Sequence, residues 1–321
     1  KKGDIMVTDM TTHDFVPAMR RASGIITNRG GLTSHAAIVS RELGVPCIVG
    51  TGNATKVLKD DMIVTLNGST GEVFVGGIKI NKLILPSTKP LAPSTNLKTA
   101  TKIYVNLAEP ERAVEIAKNH VDGVGLLRAE FMMGNIGVHP KKMIADGKAT
   151  EYINKLAHDL EIFCKAFGTR PIIYRASDFK TNEYRHLKGG ELYEPEESNP
   201  MLGFRGAFRY IKNPDVFDLE LAAIKKVRNK LGHKNLNLMI PFVRTPEEML
   251  EVKKMVTTAG LIRSGTFKLY MMCEIPSNVI LLDDFLDIGI DGISIGSNDL
   301  TMMIMGTDRD NEEVATEFDE R

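Results

Sequence analysis

Apolar positions along the chain fall into two kinds of spacing. Up to Val75 they form short β-rich runs separated by Gly, Asn and Asp: Ile5-Met6-Val7, Gly24-Ile25-Ile26-Thr27, Pro46-Cys47-Ile48-Val49 and Met62-Ile63-Val64-Thr65-Leu66. Runs of this kind predict short strands joined by turns. Between the second and third, SHAAIVSREL sets Ala36, Ala37, Val39 and Leu43 at helical spacing. Gly44 then supplies a left-handed stop, and Pro46 bars continuation. The segment reads as a small mixed β/α unit.

The pattern then becomes polar, with Pro86, Pro90 and Pro93 among Lys, Ser and Thr. This is either an extended linker or an ordered loop wrapping the next domain. From Thr101 onward, strand-like runs at Ile103–Leu107, Gly123–Leu127, Pro171–Tyr174, Leu236–Pro241, Phe267–Cys273 and Gly292–Gly296 alternate with longer amphipathic stretches. ERAVEIAKNH and TPEEMLEVKKMVTTAG are the clearest helices; Thr245 and Pro246 open the second as N-cap and first residue. Strand–helix repetition predicts a parallel sheet, and its length favours a (β/α)₈ barrel over an open sheet. The expected organisation is α/β: a small domain over 1–78, a linker over 79–98 and a TIM-type barrel over 99–321. Polar residues just past the strand ends then gather on the face where such barrels carry their chemistry.

Composition narrows the function. Lys+Arg and Asp+Glu both number 41, so the net charge is zero, which argues against an electrostatic nucleic-acid binder. The 3 cysteines (Cys47, Cys164, Cys273) are widely spaced and without a CxxC motif, which excludes a disulfide scaffold and a thiolate zinc site. No apolar stretch approaches the roughly 18 residues of a membrane span. KKGDIMVTDM is charged and strand-like rather than a secretory signal. It also lacks an initiator Met, which suggests a mature or cut piece. A cytoplasmic α/β protein with neither nucleic-acid nor membrane partners is expected.

Two places carry candidate chemistry. Gly30-Gly31-Leu32-Thr33-Ser34-His35 puts a histidine in the first turn of a helix behind a glycine pair. Glycines allow close approach to the backbone, and the helix start attracts an anion. Thr33 or Ser34 would cap the helix and donate to an imidazole or a phosphoryl oxygen. A neutral imidazole is nucleophilic near pH 7, so His35 is a phosphoryl-carrier candidate, and equally the incidental histidine of a capped helix.

The second place is the barrel face. GLLRAEF ends a strand at Arg128, IIYRASDFKTNEY offers Arg175 and Asp178, YMMCEIPSN offers Glu274, and ISIGSNDLT offers Asn298 and Asp299. The planar fork of arginine clamps phosphate or carboxylate. Carboxylates from separate strand ends, without histidine or thiolate beside them, favour a hard ion such as Mg²⁺, which would hold an oxygen-rich substrate and stabilise negative charge developing on it. Each also has a bland alternative: Asn298 or Asp299 as a helix cap, Arg128 with Glu130 as a surface ion pair, Glu274 as a strand end without a role.

The stretch around GGLTSHAAIVSRELGVPCIVG resembles the swivelling phosphohistidine domain of the PEP-utilising enzymes. GLLRAEF, RASDFKTNEY, NPMLGFRGAFRY, MIPFVRTPEE, CEIPSN and GSNDLTMMIMGTDRD resemble successive motifs of that family's barrel. SDFKTNEY followed by GGELYEPEESNPMLGFRG is most similar to its phosphoenolpyruvate synthase branch; pyruvate phosphate dikinase and enzyme I of the sugar phosphotransferase system are other branches. The resemblance covers nearly the whole chain. It implies conversion of ATP, pyruvate and water to phosphoenolpyruvate (PEP), AMP and phosphate, with His35 as the phosphocarrier. It further implies that Arg128 and Arg175 bind pyruvate or PEP, with Arg205 and Arg309 lining the site. Glu274 and Asp299 would hold Mg²⁺ and, with Gly296, Ser297 and Asn298, contact substrate.

The sequence departs from that pattern twice. Nothing in it resembles the ATP-grasp domain that charges the histidine from ATP, so ATP would reach the enzyme through a domain outside this sequence. The Gly-x-Cys-Gly segment with the family's proton-donating cysteine does not appear either. The barrel is therefore expected to be truncated before its last strand. Because strand edges seek partners, the gap should be bridged by a homo-oligomer through the barrel or covered by the chain itself. A non-catalytic assembly remnant is the alternative in another functional class.

Overall fold

All four runs predicted in the first segment are strands: β1 (Ile5–Thr8), β2 (Gly24–Thr27), β3 (Cys47–Ile48) and β4 (Val64–Asn67). They belong to a computed structural model describing residues 3–11, 15–31, 34–77, 99–308, 311, 314, 317 and 318. The predicted linker over 79–98 lies outside the described residues, as do Thr33 and Arg309. The chain divides into two units, Lys1–Ile103 and Tyr104–Arg321.

In the first unit, β1, β2 and β3 form a parallel sheet in that order. Every residue of β2 is buried, which is why Gly24-Ile25-Ile26-Thr27 is continuous rather than alternating. The helix His35–Leu43 ends at Gly44, whose φ of 68° is the left-handed stop read from sequence. β4 pairs antiparallel with β5 (Glu72–Val75), a strand the apolar pattern did not reveal. Val75 is 67% exposed, so little burial enforces an alternation there.

The second unit contains the six strands predicted for it: β6 (Tyr104–Leu107), β7 (Gly123–Arg128), β8 (Ile172–Arg175), β9 (Leu236–Ile240), β10 (Leu269–Cys273) and β11 (Gly292–Ile295). All neighbours are parallel and lie in sequence order. In such a sheet every right-handed crossover advances the same way, so the helices gather on one face and the sheet curls. The described strands are thus a curled six-stranded part of a TIM-type barrel. Its core lies between the sheet and the helices, with Leu156, Leu160 and Phe163 of Ala149–Phe167 and Leu221 and Ile224 of Pro214–Lys225 packed against Leu127, Ile172, Tyr174 and Leu238.

TPEEMLEVKKMVTTAG forms the helix Pro246–Thr258, and the Thr245 side chain accepts from the Glu248 amide as predicted for its cap. ERAVEIAKNH is less helical than its spacing suggests: a 3₁₀ turn Pro110–Arg112 runs into a single turn Ala113–Ile116. Arg170 explains the early stop. Its guanidinium donates to the Ala117 and Val121 carbonyls at 2.7 and 3.1 Å, turning the chain toward β7.

A buried polar group fastens the end of β8. Glu220, fully buried, accepts from the Tyr174 hydroxyl at 2.7 Å and from the Ser177 amide at 3.0 Å, and the Ser177 hydroxyl lies 2.5 Å from its other oxygen. The Tyr210 hydroxyl donates to the Ser177 carbonyl at 2.5 Å. Burial pushes the Glu220 carboxyl up to about 7, against these donors, which favour its ionised form. An unfolded chain releases that proton near pH 4.5. The folded chain therefore binds more protons between these values, and stability falls as pH rises from about 4.5 to about 7, by about 3 kcal/mol from this group. Denaturant titrations across that range should show Glu220→Gln with a correspondingly flatter loss. Equal slopes for both proteins would refute this assignment.

Candidate active site

The strand ends are brought into line by register. Arg128 and Arg175 are paired neighbours at the ends of β7 and β8. Glu130 follows β7 in the first turn of a helix, and its Oε1 accepts from Arg175 Nη2 at 3.0 Å and from the Asp178 amide at 2.6 Å. The carboxylate considered as a surface partner of Arg128 is instead buried and ties β7 to the loop after β8. Burial opposes the charge of Arg175, but Glu130, Asp178 and Glu274 outweigh it and keep the guanidinium firmly protonated.

Arg205 precedes the helix Gly206–Lys212 and is itself buried. Its Nε and Nη2 donate to the two oxygens of Asp178 at 3.0 and 2.6 Å, and Nη2 also reaches Asp299 Oδ2 at 2.9 Å. The guanidinium lies over the ring of Phe242, 4.0 Å from its centre. Gly206 makes this approach possible: at φ 62°, a Cβ there would stand 2.4 Å from the Phe242 Cβ.

Glu274 follows β10. Its amide and that of Ile275 donate to Asn278 Oδ1 at 3.1 and 3.0 Å, while Asn278 Nδ2 donates to the Val243 carbonyl at 2.6 Å. The fully buried Asn278 thus locks the end of β10 to the loop after β9. Glu274 Oε1 accepts from the Phe242 amide at 2.6 Å. Gly296 follows β11, and its N–H continues the ladder to the Cys273 carbonyl at 2.9 Å. A Cβ at Gly296 would stand 2.8 Å from Glu274 Oε2, so only glycine fits beside that carboxylate. Gly296 caps the helix Ser297–Met305, with Ser297 and Asn298 half-buried in its first turn. Asp299 is not the cap considered for it but a buried partner of Arg205.

The structure therefore brings Arg175, Arg205, Glu274 and Asp299 together and adds Asp178. One oxygen each of Asp178, Glu274 and Asp299 lie within 4.8 Å of one another, all three residues buried. Burial, followed by the charges of Asp178 and Asp299, pushes the Glu274 carboxyl up to about 8 against the pull of Arg175 and Arg205. Crowded hard oxygens with no nitrogen or sulfur donor among them suit a small divalent cation, whose charge would relieve this repulsion.

In the first unit, His35 begins its helix half-buried, with Nδ1 2.8 Å from Thr11 Oγ1. Gly30, at φ 107°, is compressed against Ser34, where a Cβ would lie 2.8 Å from the hydroxyl oxygen. Cys47, Cys164 and Cys273 are free thiols. Thr11, Phe242 and Asn278 escaped the sequence reading. Thr11 lies 24 positions from His35, and no local pattern marks a residue whose role is to hold another through space.

Comparison with known proteins agrees with this geometry. Residues 1–71 match the PEP-utilising enzyme mobile domain, and residues 87–321 match the PEP-utilising enzyme PEP-binding domain. The chain is 47% identical over its whole length to a phosphoenolpyruvate synthase of Aeropyrum pernix, covering 41% of that protein. It is 46% identical to the Pseudomonas aeruginosa synthase over 99% of the chain and 43% of the relative. The same identity holds to the Pyrococcus furiosus synthase over 100% of the chain and 40% of the relative. The chain thus spans less than half the length of these curated relatives. Among the described residues no helix is long and apolar enough to cross a membrane. With both family domains matched and the arginine–carboxylate centre formed at the ends of the second domain's strands, the chain belongs to the PEP-utilising enzymes.

Proposed function

We propose that this chain supplies the phosphohistidine and the PEP/pyruvate site of a phosphoenolpyruvate synthase, which converts ATP, pyruvate and water to PEP, AMP and phosphate in the cytoplasm. The observation that carries this reading is Arg205 braced between Asp178 and Asp299, beside Arg175 and Glu274, at successive ends of a parallel sheet. Arg128 and Arg175 bind the carboxylate or phosphate of the substrate, and Arg205 lines the same site. Ser297 and Asn298 contribute polar contacts from the first turn after Gly296.

Glu274 and Asp299 would hold Mg²⁺, which when bound supplies Lewis acidity to the oxygen that becomes negative as pyruvate enolises. Asp178 fixes Arg205, and the buried setting limits competition from water. In the small unit, Thr11 engages His35 Nδ1, which orients the ring so that Nε2 is the nucleophilic nitrogen. The phosphoryl group passes from PEP to that nitrogen as the enolate leaves, and the reverse transfer makes PEP. ATP would enter through an ATP-grasp domain. Association of copies through the barrel, whose β6 and β11 edges carry backbone hydrogen-bonding groups, belongs to the same reading.

The test is to incubate the chain with Mg²⁺ and PEP labelled in its phosphoryl group. Acid-labile label is expected on His35 and is expected to vanish in His35→Ala. Absence of label on the unsubstituted chain would overturn the catalytic reading in favour of an assembly role.

A further inference from the structure

Phe242 stands at the meeting point of the acidic cluster and its arginine. Two non-glycine residues among those described have positive φ: Asp61, in an exposed turn, and Phe242, at φ 47° and 1% exposed. Aspartate tolerates this region, whereas a bulky aromatic residue adopts it only when its surroundings enforce it. Three contacts do so here. The Phe242 amide donates to Glu274 Oε1 at 2.6 Å. Gly206 presses its backbone against the Phe242 Cβ and carbonyl, leaving no room for a side chain at 206. The ring meets the guanidinium of Arg205 at 4.0 Å and that of Arg244 at 4.8 Å. Arg244 in turn donates to the Gly203 carbonyl at 2.5 Å, on the segment leading to Arg205.

We propose that Phe242 is a positioning residue with two separable functions: its amide holds Glu274 Oε1 and sets that carboxylate for a divalent cation, while its ring, placed by the left-handed turn of the backbone, seats Arg205 for the substrate. The amide of 242 belongs to the peptide plane that follows the preceding strand, and the positive φ turns the following chain away so that this donor stays on Glu274. The proposal rests on the cation-dependent pyruvate site described above.

The two functions can be tested apart, with Mn²⁺ alone as the first probe, followed by electron paramagnetic resonance, and pyruvate at saturating Mn²⁺ as the second. Replacing the 242 amide by an ester, with phenyllactate in place of Phe242, deletes the donor and keeps the ring. It is expected to weaken Mn²⁺ binding about tenfold or more, as loss of a partner that orients a ligand does. Phe242→Gly keeps the donor, tolerates the positive φ and deletes the ring. It is expected to hold Mn²⁺ within about threefold of the unsubstituted chain while losing about tenfold in pyruvate affinity. A merely structural residue would move both affinities together in both variants. Unchanged Mn²⁺ binding by the ester overturns the proposal. So does Phe242→Gly with its Mn²⁺ affinity lost, an outcome that decides the matter even where the ester protein does not fold. Failure of the unsubstituted chain to bind Mn²⁺ at all overturns the cation reading itself and is recognisable as such.

Discussion

Glu274→Gln is expected to abolish Mg²⁺-dependent binding of pyruvate while leaving the fold intact. The amide oxygen still accepts from the Phe242 amide, so the hydrogen bond that places the side chain survives. What disappears is one of the three carboxyl groups that face each other within 4.8 Å, and with it the third negative charge that a bound cation would draw out. Because burial and its acidic neighbours already disfavour the Glu274 carboxylate, its removal relieves repulsion, and the thermal midpoint should hold or rise. Calorimetric titration of pyruvate with and without Mg²⁺, beside a thermal melt, reads both quantities. Pyruvate binding that keeps its Mg²⁺ dependence in this variant would remove Glu274 from the ligand set.

Arg205→Met should behave in the opposite sense. Arg205 is the cation that makes three buried carboxylates tolerable, donating to both oxygens of Asp178 and to Asp299. Removing one partner of a buried ion pair costs about 3–5 kcal/mol, because the remaining charges are left uncompensated. In the presence of a chelator the variant should melt well below the natural protein. Added Mg²⁺ should recover part of the loss, since a ligand that binds only the folded state stabilises it by mass action. Denaturation curves in chelator and in Mg²⁺ separate the two effects. A variant as stable as the natural chain in chelator would show that Arg205 does not neutralise the cluster. A destabilised variant indifferent to Mg²⁺ would show that no cation binds there.

The opposite signs follow from one arrangement, and it was only partly legible beforehand. GLLRAEF, RASDF, CEIPSN and GSNDL were recognisable because a parallel barrel delivers whatever follows each strand to one face. The pairings were not recognisable. Glu130 stands two residues from Arg128 yet serves Arg175, because β7 and β8 lie in register and the helix after β7 carries Glu130 toward the neighbouring strand. Glu220 lies inside a helical pattern where an acidic residue ordinarily reads as solvated. Its burial against Tyr174 and Ser177 depends on how the helix Pro214–Lys225 packs on the sheet. Phe242 looks like one more apolar residue after a strand. Its positive φ arises from contacts with Gly206 and Glu274, 36 and 32 positions away.

Strand identity, the sequential parallel order and the histidine at a helix start were written locally, in runs of buried apolar residues and the glycines and prolines that punctuate them. Such signals act over a few residues, and the backbone answers them wherever they occur. Which carboxylate meets which guanidinium, how the Glu274 carboxylate is aimed, and why Asp178 joins the cluster were settled only on folding. Those contacts join side chains from separate strand ends, and their strength comes from exclusion of water, which no single segment achieves alone.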